Sequence, residues 1–147
     1  MDTVMVKDAI AHRLAHSGVL LLLLGLLTGL AVPKLANPRM GLASHVEGVM
    51  GGMLLALLSF LCSRLRLGAP AMKAASWLAV YGAYAKWANP LLASIWDAGG
   101  SMMPDASKGK KGTALQEAVI SAVAVSMVLA LLPAVCLILW GLRRSAS

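Results

Sequence analysis

Apolar residues fill long stretches of this chain, and charged residues fall mainly between them. Gly18–Val32 carries no charge, and neither does Val119–Gly141. Apolar runs of about 18 residues or more can cross a hydrocarbon core of ~30 Å as helices rising 1.5 Å per residue. The pattern predicts four such spans, at about Ala15–Val32, Leu42–Arg64, Pro70–Trp96 and Thr113–Leu142. Pro33 ends the first, and Pro70 suits the first turn of the third. Thr113 and Gln116 have capping-box spacing at the start of the fourth. The links Lys34–Gly41 and Leu65–Ala69 are short, which makes the first three spans antiparallel neighbours. The expected fold is all-α: a polytopic membrane protein whose 147 residues form one four-transmembrane-helix bundle.

The segment before the first span, MDTVMVKDAIAHRLAH, is amphipathic and mixed in charge. A secretory signal would have a short apolar core and a small-residue cleavage site. The run instead ends in VPKLANP, so the segment is expected to be retained, as an interfacial helix or as a helical extension of the first span.

Composition agrees with a bilayer environment: 59% of residues are hydrophobic and 13% charged, against roughly 25% charged in soluble chains. The net charge of +7 does not gather on a face. Arg64 and Arg66 follow one run, Arg143 and Arg144 follow another, and Lys108, Lys110 and Lys111 lie in the long polar link Asp97–Gly112. Flanking charges of this kind anchor spans at membrane surfaces, so no nucleic-acid partner is expected. Four spans put both termini on one side, with Lys7, Arg13, Arg64, Arg66, Lys73, Arg143 and Arg144. The opposite side carries Lys34, Arg39, Lys108, Lys110 and Lys111. The small excess favours cytoplasmic termini, and the lysine cluster argues the other way. Cys62 and Cys136 lie in or near the ends of apolar runs without a C-x-x-C pair, as small hydrophobes do.

The second and third spans hold the chemistry. In a helix, His45 shares a stripe with Gly48, Gly52, Ala56 and Ser59. Such a seam lets helices approach closely, and it also leaves room beside a histidine for a flat, bulky group. Glu47 points about 200° away from His45 at 100° per residue. It is either a functional ionisable group or a residue kept wet or paired with Lys86 or Arg39. In the third span, Trp77, Tyr81, Tyr84 and Ala88 align on one face, where mid-span aromatics fit a lined cavity. Gly82, Lys86, Asn89 and Ala93 form a second stripe. A mid-span lysine costs about 2.5–3.5 kcal/mol to insert, so Lys86 calls for a carboxylate, water or a snorkelling route. Pro90 removes a helical donor. AGGSMMP (Ala98–Pro104) is either a tight re-entry toward the membrane on Met102 and Met103 or a surface loop.

SHVEGVMGGM, YGAYAKWANPLLASIW and AGGSMMP, in this order and spacing, resemble the hydroxylaminobenzene mutases of bacterial nitroarene degradation. The histidine-bearing second span more distantly resembles that of styrene oxide isomerase, a four-span trimeric enzyme that holds ferric haem b between subunits. The resemblance implies His45 as ligand of the haem iron, with Gly48 and Gly52 beside it. Gly51 stands where the isomerase has an asparagine beside the haem. The implied activity is a membrane isomerase that turns hydroxylaminobenzene into 2-aminophenol, with ferric haem b as Lewis acid. Its implied setting is a homo-trimer in the lipid bilayer of the bacterial inner membrane. The residues expected to act on the small aromatic hydroxylamine are Glu47, Tyr81, Tyr84, Lys86 and Asn89. Without haem, Glu47 or Lys86 would be the general acid. The competing reading is a non-catalytic four-helix membrane protein, a transporter component or partner subunit, in which Glu47 and Lys86 form a structural pair.

Overall fold

A computed structural model of the chain describes residues 3–143. Met1, Asp2 and Arg144, named above in the N-terminal segment and among the flanking charges, lie outside the described residues. Four long helices dominate: α1 (Thr3–Ala31), α2 (Pro38–Leu61), α3 (Ala69–Trp96) and α5 (Ala114–Arg143), with the single turn α4 (Pro104–Ser107) before the last. At 1.5 Å per residue, 28 to 30 residues reach about 42–45 Å. Three of the helices are long and apolar enough to cross a membrane. The other, α3, is equally long but carries Lys73, Lys86 and Asn89. The architecture is an all-α membrane bundle.

The segment before the first span is a helical extension, not a separate interfacial helix. α1 runs unbroken from Thr3, because Ile10 and Leu14 continue its buried face against Leu58, Cys62, Leu65 and Leu67. Lys7 Nζ adds a hydrogen bond to the carbonyl of Leu65 at 2.8 Å. α2 starts at Pro38, four residues earlier than the apolar pattern indicates, because Asn37 caps it through the N–H of Met40. Pro70 sits in the first turn of α3. At the start of α5 the capping box closes in both directions: the N–H of Thr113 donates to Gln116 Oε1 at 2.8 Å and that of Gln116 to Thr113 Oγ1 at 3.3 Å.

α1 and α2 pack most closely, glycine against glycine. A Cβ on Gly25 would lie 2.6 Å from the backbone N of Val49, and one on Gly52 would lie 2.6 Å from that of Leu22. α3 packs beside this pair, and α5 rests mainly on α3. The outer side of α5 therefore stays apolar and exposed, as at Leu129, Leu132 and Val135, which is the composition expected against lipid tails.

The link from α3 to α5 folds back onto the bundle. Asp97 takes a left-handed conformation (φ 48°) and Gly99 follows at φ 104°, the region glycine adopts without steric cost. Met103 then packs on the small core of Met40, Ala93, Ala98 and Ile120. One carboxylate organises the return: Glu117 accepts the N–H groups of Gly99 (2.7 Å), Gly112 (2.9 Å) and Ser101 (3.1 Å). A charged acceptor for several backbone donors is a strong local anchor. The Glu117→Ala variant is expected to keep its four long helices but to lose amide-exchange protection at Gly99, Ser101 and Gly112. Hydrogen exchange in detergent checks this, and unchanged protection would remove the anchor role.

Candidate active site

His45 sits on the α2 face that meets α1. Its ring fills the space beside Gly29, where a Cβ would come within 2.6 Å of Nδ1. Nδ1 lies 2.8 Å from the carbonyl oxygen of Gly25. A carbonyl only accepts, so Nδ1 carries a proton, and in the neutral ring the lone pair is on Nε2. No protein hydrogen bond engages Nε2 among the described residues, and the ring is half-buried. A backbone carbonyl on one ring nitrogen is how proteins fix the tautomer of a metal-ligating histidine.

The small-residue seam is filled by α1 and is not left open beside the imidazole. Gly48 faces Gly25 and Trp87, where a Cβ would come within 2.7 Å of each, and Gly52 faces Gly18 and Leu22. Both glycines thus set the depth of α1–α2 contact, and through it the Gly25 carbonyl that orients His45.

Glu47 turns to the other side of α2. Its Oε2 lies 2.7 Å from Lys86 Nζ on α3, as a close ionic contact without hydrogen-bond alignment. The side chains of Lys86 and Glu47 are 41% and 29% exposed, so the pair is at the wall of the bundle rather than in its centre. Lys86 lines a groove of about 360 Å³ with Met50, Gly51, Leu54 and Leu131. The mid-span lysine has thus found its carboxylate.

The aromatic face of α3 does not line one cavity. Trp77 stacks under the Arg13 guanidinium of α1, 4.1 Å from the ring centroid. The Tyr84 hydroxyl donates to the Ser17 carbonyl of α1 at 3.0 Å. The Tyr81 hydroxyl pairs with Ser126 Oγ of α5 at 2.7 Å. The three side chains fan out because α1 and α5 meet α3 on opposite flanks of that face. The second stripe does line cavities: Lys86 borders the groove above, and Asn89 borders a cleft of about 450 Å³ between α3 and α5. Asn89 is 6% exposed, and its Oδ1 has no hydrogen-bond partner.

The structure therefore joins Glu47 to Lys86, sets Asn89 one turn further along α3, and keeps His45 on a different side of the protomer. Sequence reasoning missed a polar lock between them. Trp87 Nε1 donates to Thr28 Oγ1 at 3.0 Å, and Ser44 Oγ donates to the Trp87 carbonyl at 2.8 Å. Single hydroxyls in apolar runs, such as Thr28 and Ser44, were its visible signal.

The donor set fits one kind of metal group. Among the described residues no three His, Cys, Asp or Glu side chains come together to hold a bare ion. A single imidazole with a free Nε2 suits iron that brings its own equatorial ligands, as haem does.

Fold and site together define a multi-pass helical membrane protein with an imidazole and an ion pair set into an apolar bundle. The chain belongs to the styrene oxide isomerase family, which it matches over residues 10–143. It is 52% identical over 138 residues to the hydroxylaminobenzene mutase HabB of Ectopseudomonas oleovorans, covering 94% of this chain and 84% of that one. It is 40% identical over 128 residues to the hydroxylaminobenzene mutase HabA of the same organism, covering 87% and 95%. No solved structure matches it. The chain is an enzyme of the isomerase class, an intramolecular transferase.

Proposed function

We propose that this isomerase rearranges hydroxylaminobenzene to 2-aminophenol in the bacterial cytoplasmic membrane, as a step of nitroarene degradation, with haem b held by His45. The observation that carries the substrate is the 52% identity to a hydroxylaminobenzene mutase over 94% of the chain. The Gly25 carbonyl on Nδ1 supports His45 as the ligand, because it leaves Nε2 free. When bound, ferric haem would supply a Lewis acid for the hydroxylamino group.

The reaction breaks the N–O bond and forms a C–O bond at the ortho carbon. The ring loses one proton, the nitrogen gains one, and no electrons are exchanged. Proton movement is the task left to side chains, and Lys86 with Glu47 is the pair we assign to it. The ammonium can give a proton as the oxygen leaves, and the carboxylate can take one as the ring rearomatises. General acid–base assistance of this kind is worth ~10²–10⁴-fold. The apolar walls keep bulk water from the electron-deficient ring. Asn89, one turn along α3 from Lys86, borders the α3–α5 cleft and would position the NHOH group through its amide. Tyr81 and Tyr84, whose hydroxyls bond to α5 and α1, hold α3 in place.

His45 and Asn89 face different sides of one protomer, which suits a site completed by a neighbouring subunit in a homo-trimer. The side that holds both termini, with its small excess of Lys and Arg, would face the cytoplasm.

The test is an optical spectrum of the detergent-purified protein before and after dithionite, read beside conversion of hydroxylaminobenzene without added cofactor. A Soret band that shifts on reduction, together with 2-aminophenol formation, is the expected result. A colourless preparation at full activity would remove the haem, and pigment with no conversion would remove the reaction.

A further inference from the structure

We infer that Trp87 is a positioning residue for His45: it fixes the two helices between which the imidazole is held, and so keeps Nδ1 on the Gly25 carbonyl. The inference deepens the proposed function and rests on His45 as the group that acts there through Nε2. Three contacts meet on Trp87. Its Nε1 donates to Thr28 Oγ1 of α1 at 3.0 Å. Its carbonyl accepts from Ser44 Oγ of α2 at 2.8 Å. Its indole lies against Gly48, where a Cβ would come within 2.7 Å of Cδ1. Each partner adjoins the cradle of the imidazole. Ser44 precedes His45 in the chain, and Gly48 follows it by about one turn. Thr28 shares a patch of α1 with Gly25 and with Gly29, whose missing side chain makes room for the ring.

The hydroxyl of Thr28 passes the contact on. An indole N–H can only donate, so Thr28 accepts from it and keeps its own proton for the Leu24 carbonyl at 2.8 Å. That bond closes over the turn whose next carbonyl, Gly25, accepts from His45 Nδ1 at 2.8 Å. Back-bonding by a threonine bends its helix slightly, so the rotamer that Trp87 imposes on Thr28 bears on how this turn presents its carbonyls. Thr28 and Ser44 are 6% and 0% exposed, so neither hydroxyl can turn to water instead. Packing alone would need only an apolar ring at Trp87. The two hydrogen bonds add a fixed register of α3 on α1 and on α2 at the level of the imidazole.

The experiment uses the full chain in detergent with ¹⁵N-labelled histidine. A colourless preparation is read as purified, and a pigmented one after reduction and addition of carbon monoxide, which makes haem iron diamagnetic. The readout is solvent exchange of the His45 Nδ1 proton, which requires α1 and α2 to part locally. Trp87→Phe and Thr28→Val should each speed it about threefold to tenfold, as loss of one hydrogen bond between membrane helices does. The double variant should add little to either, because both remove the same bond. Thr28→Ser keeps the hydroxyl and should stay near the parent. Tyr84→Phe removes another α3–α1 bond, to Ser17, about three turns away along α1. It should leave His45 unmoved even where the thermal midpoint falls. Exchange that ignores Trp87→Phe and Thr28→Val, or that Tyr84→Phe speeds equally, overturns the inference. So does a parent whose His45 proton exchanges as fast as those of the exposed His12 and His16. The haem is judged separately by colour: a colourless protein with the expected exchange loses the haem and keeps the positioning role, and a pigmented one without it keeps the haem and loses that role.

Discussion

Replacing His45 with asparagine should abolish the pigment and lower mutase turnover by roughly 10³-fold, with the helices intact. The magnitude follows from losing the proposed Lewis acid, worth several kcal/mol of transition-state stabilisation, at ~1.4 kcal/mol per tenfold. Asparagine is the informative choice because its amide N–H can still donate to the Gly25 carbonyl, the one protein hydrogen bond His45 makes among the described residues. A purely structural histidine would therefore tolerate the change. A ligand histidine would not, since asparagine offers no comparable lone pair. His45→Gly supplies the complement: free imidazole at millimolar concentration should restore part of the band and part of the turnover. If His45→Asn keeps both the spectrum and the rate, the imidazole is a packing residue and the axial role falls.

The spans were legible because a bilayer imposes a length and a composition that few other environments do. The capping box at Thr113 and Gln116 and the turn-setting Gly99 were legible for local reasons, since each acts within a few residues of itself. What depended on partners was not. Gly48, Gly52 and Ala56 announce a close approach, yet a small-residue seam reads the same whether a helix or a flat ligand fills it. Here α1 fills it, and its own Gly18 and Gly25 were the matching signal. Trp77, Tyr81 and Tyr84 share a face within about 60° by helical geometry, but long side chains on one face can reach two different neighbours. Glu47 and Lys86 belong to different helices, so their 2.7 Å contact needed the register of α2 on α3, which no periodicity contains. Glu117 was missed for a similar reason. It lies one turn into an apolar helix, and its meaning comes from three backbone N–H groups 5 to 18 residues away.

Adding one methyl group at Gly25 should be among the most damaging small changes in the chain. The new Cβ would meet Val49 N at 2.6 Å and the carbonyl carbon of Gly48 at 2.7 Å. These are backbone atoms of a helix, so no rotamer change can relieve the clash, and α1 must move away from α2. Forced overpacking costs about 1–3 kcal/mol even where side chains can yield, and a backbone clash belongs at or above the top of that range. The displacement also carries the Gly25 carbonyl away from His45 Nδ1. Gly25→Ala should thus lower the thermal midpoint in detergent by several degrees and weaken retention of the proposed haem as well. Loss of a hydrogen bond behind a ligand typically costs 10–100-fold in metal affinity. Gly68→Ala is the control, because its nearest new neighbour would be Pro70 Cδ at 3.9 Å, an ordinary contact. Coupled loss of stability and pigment at Gly25, with neither at Gly68, is the signature of a glycine seam that sets both helix spacing and imidazole orientation. A Gly25→Ala protein as stable and as coloured as the parent would mean that α1 and α2 do not meet glycine to glycine, and the orientation of His45 would need another cause.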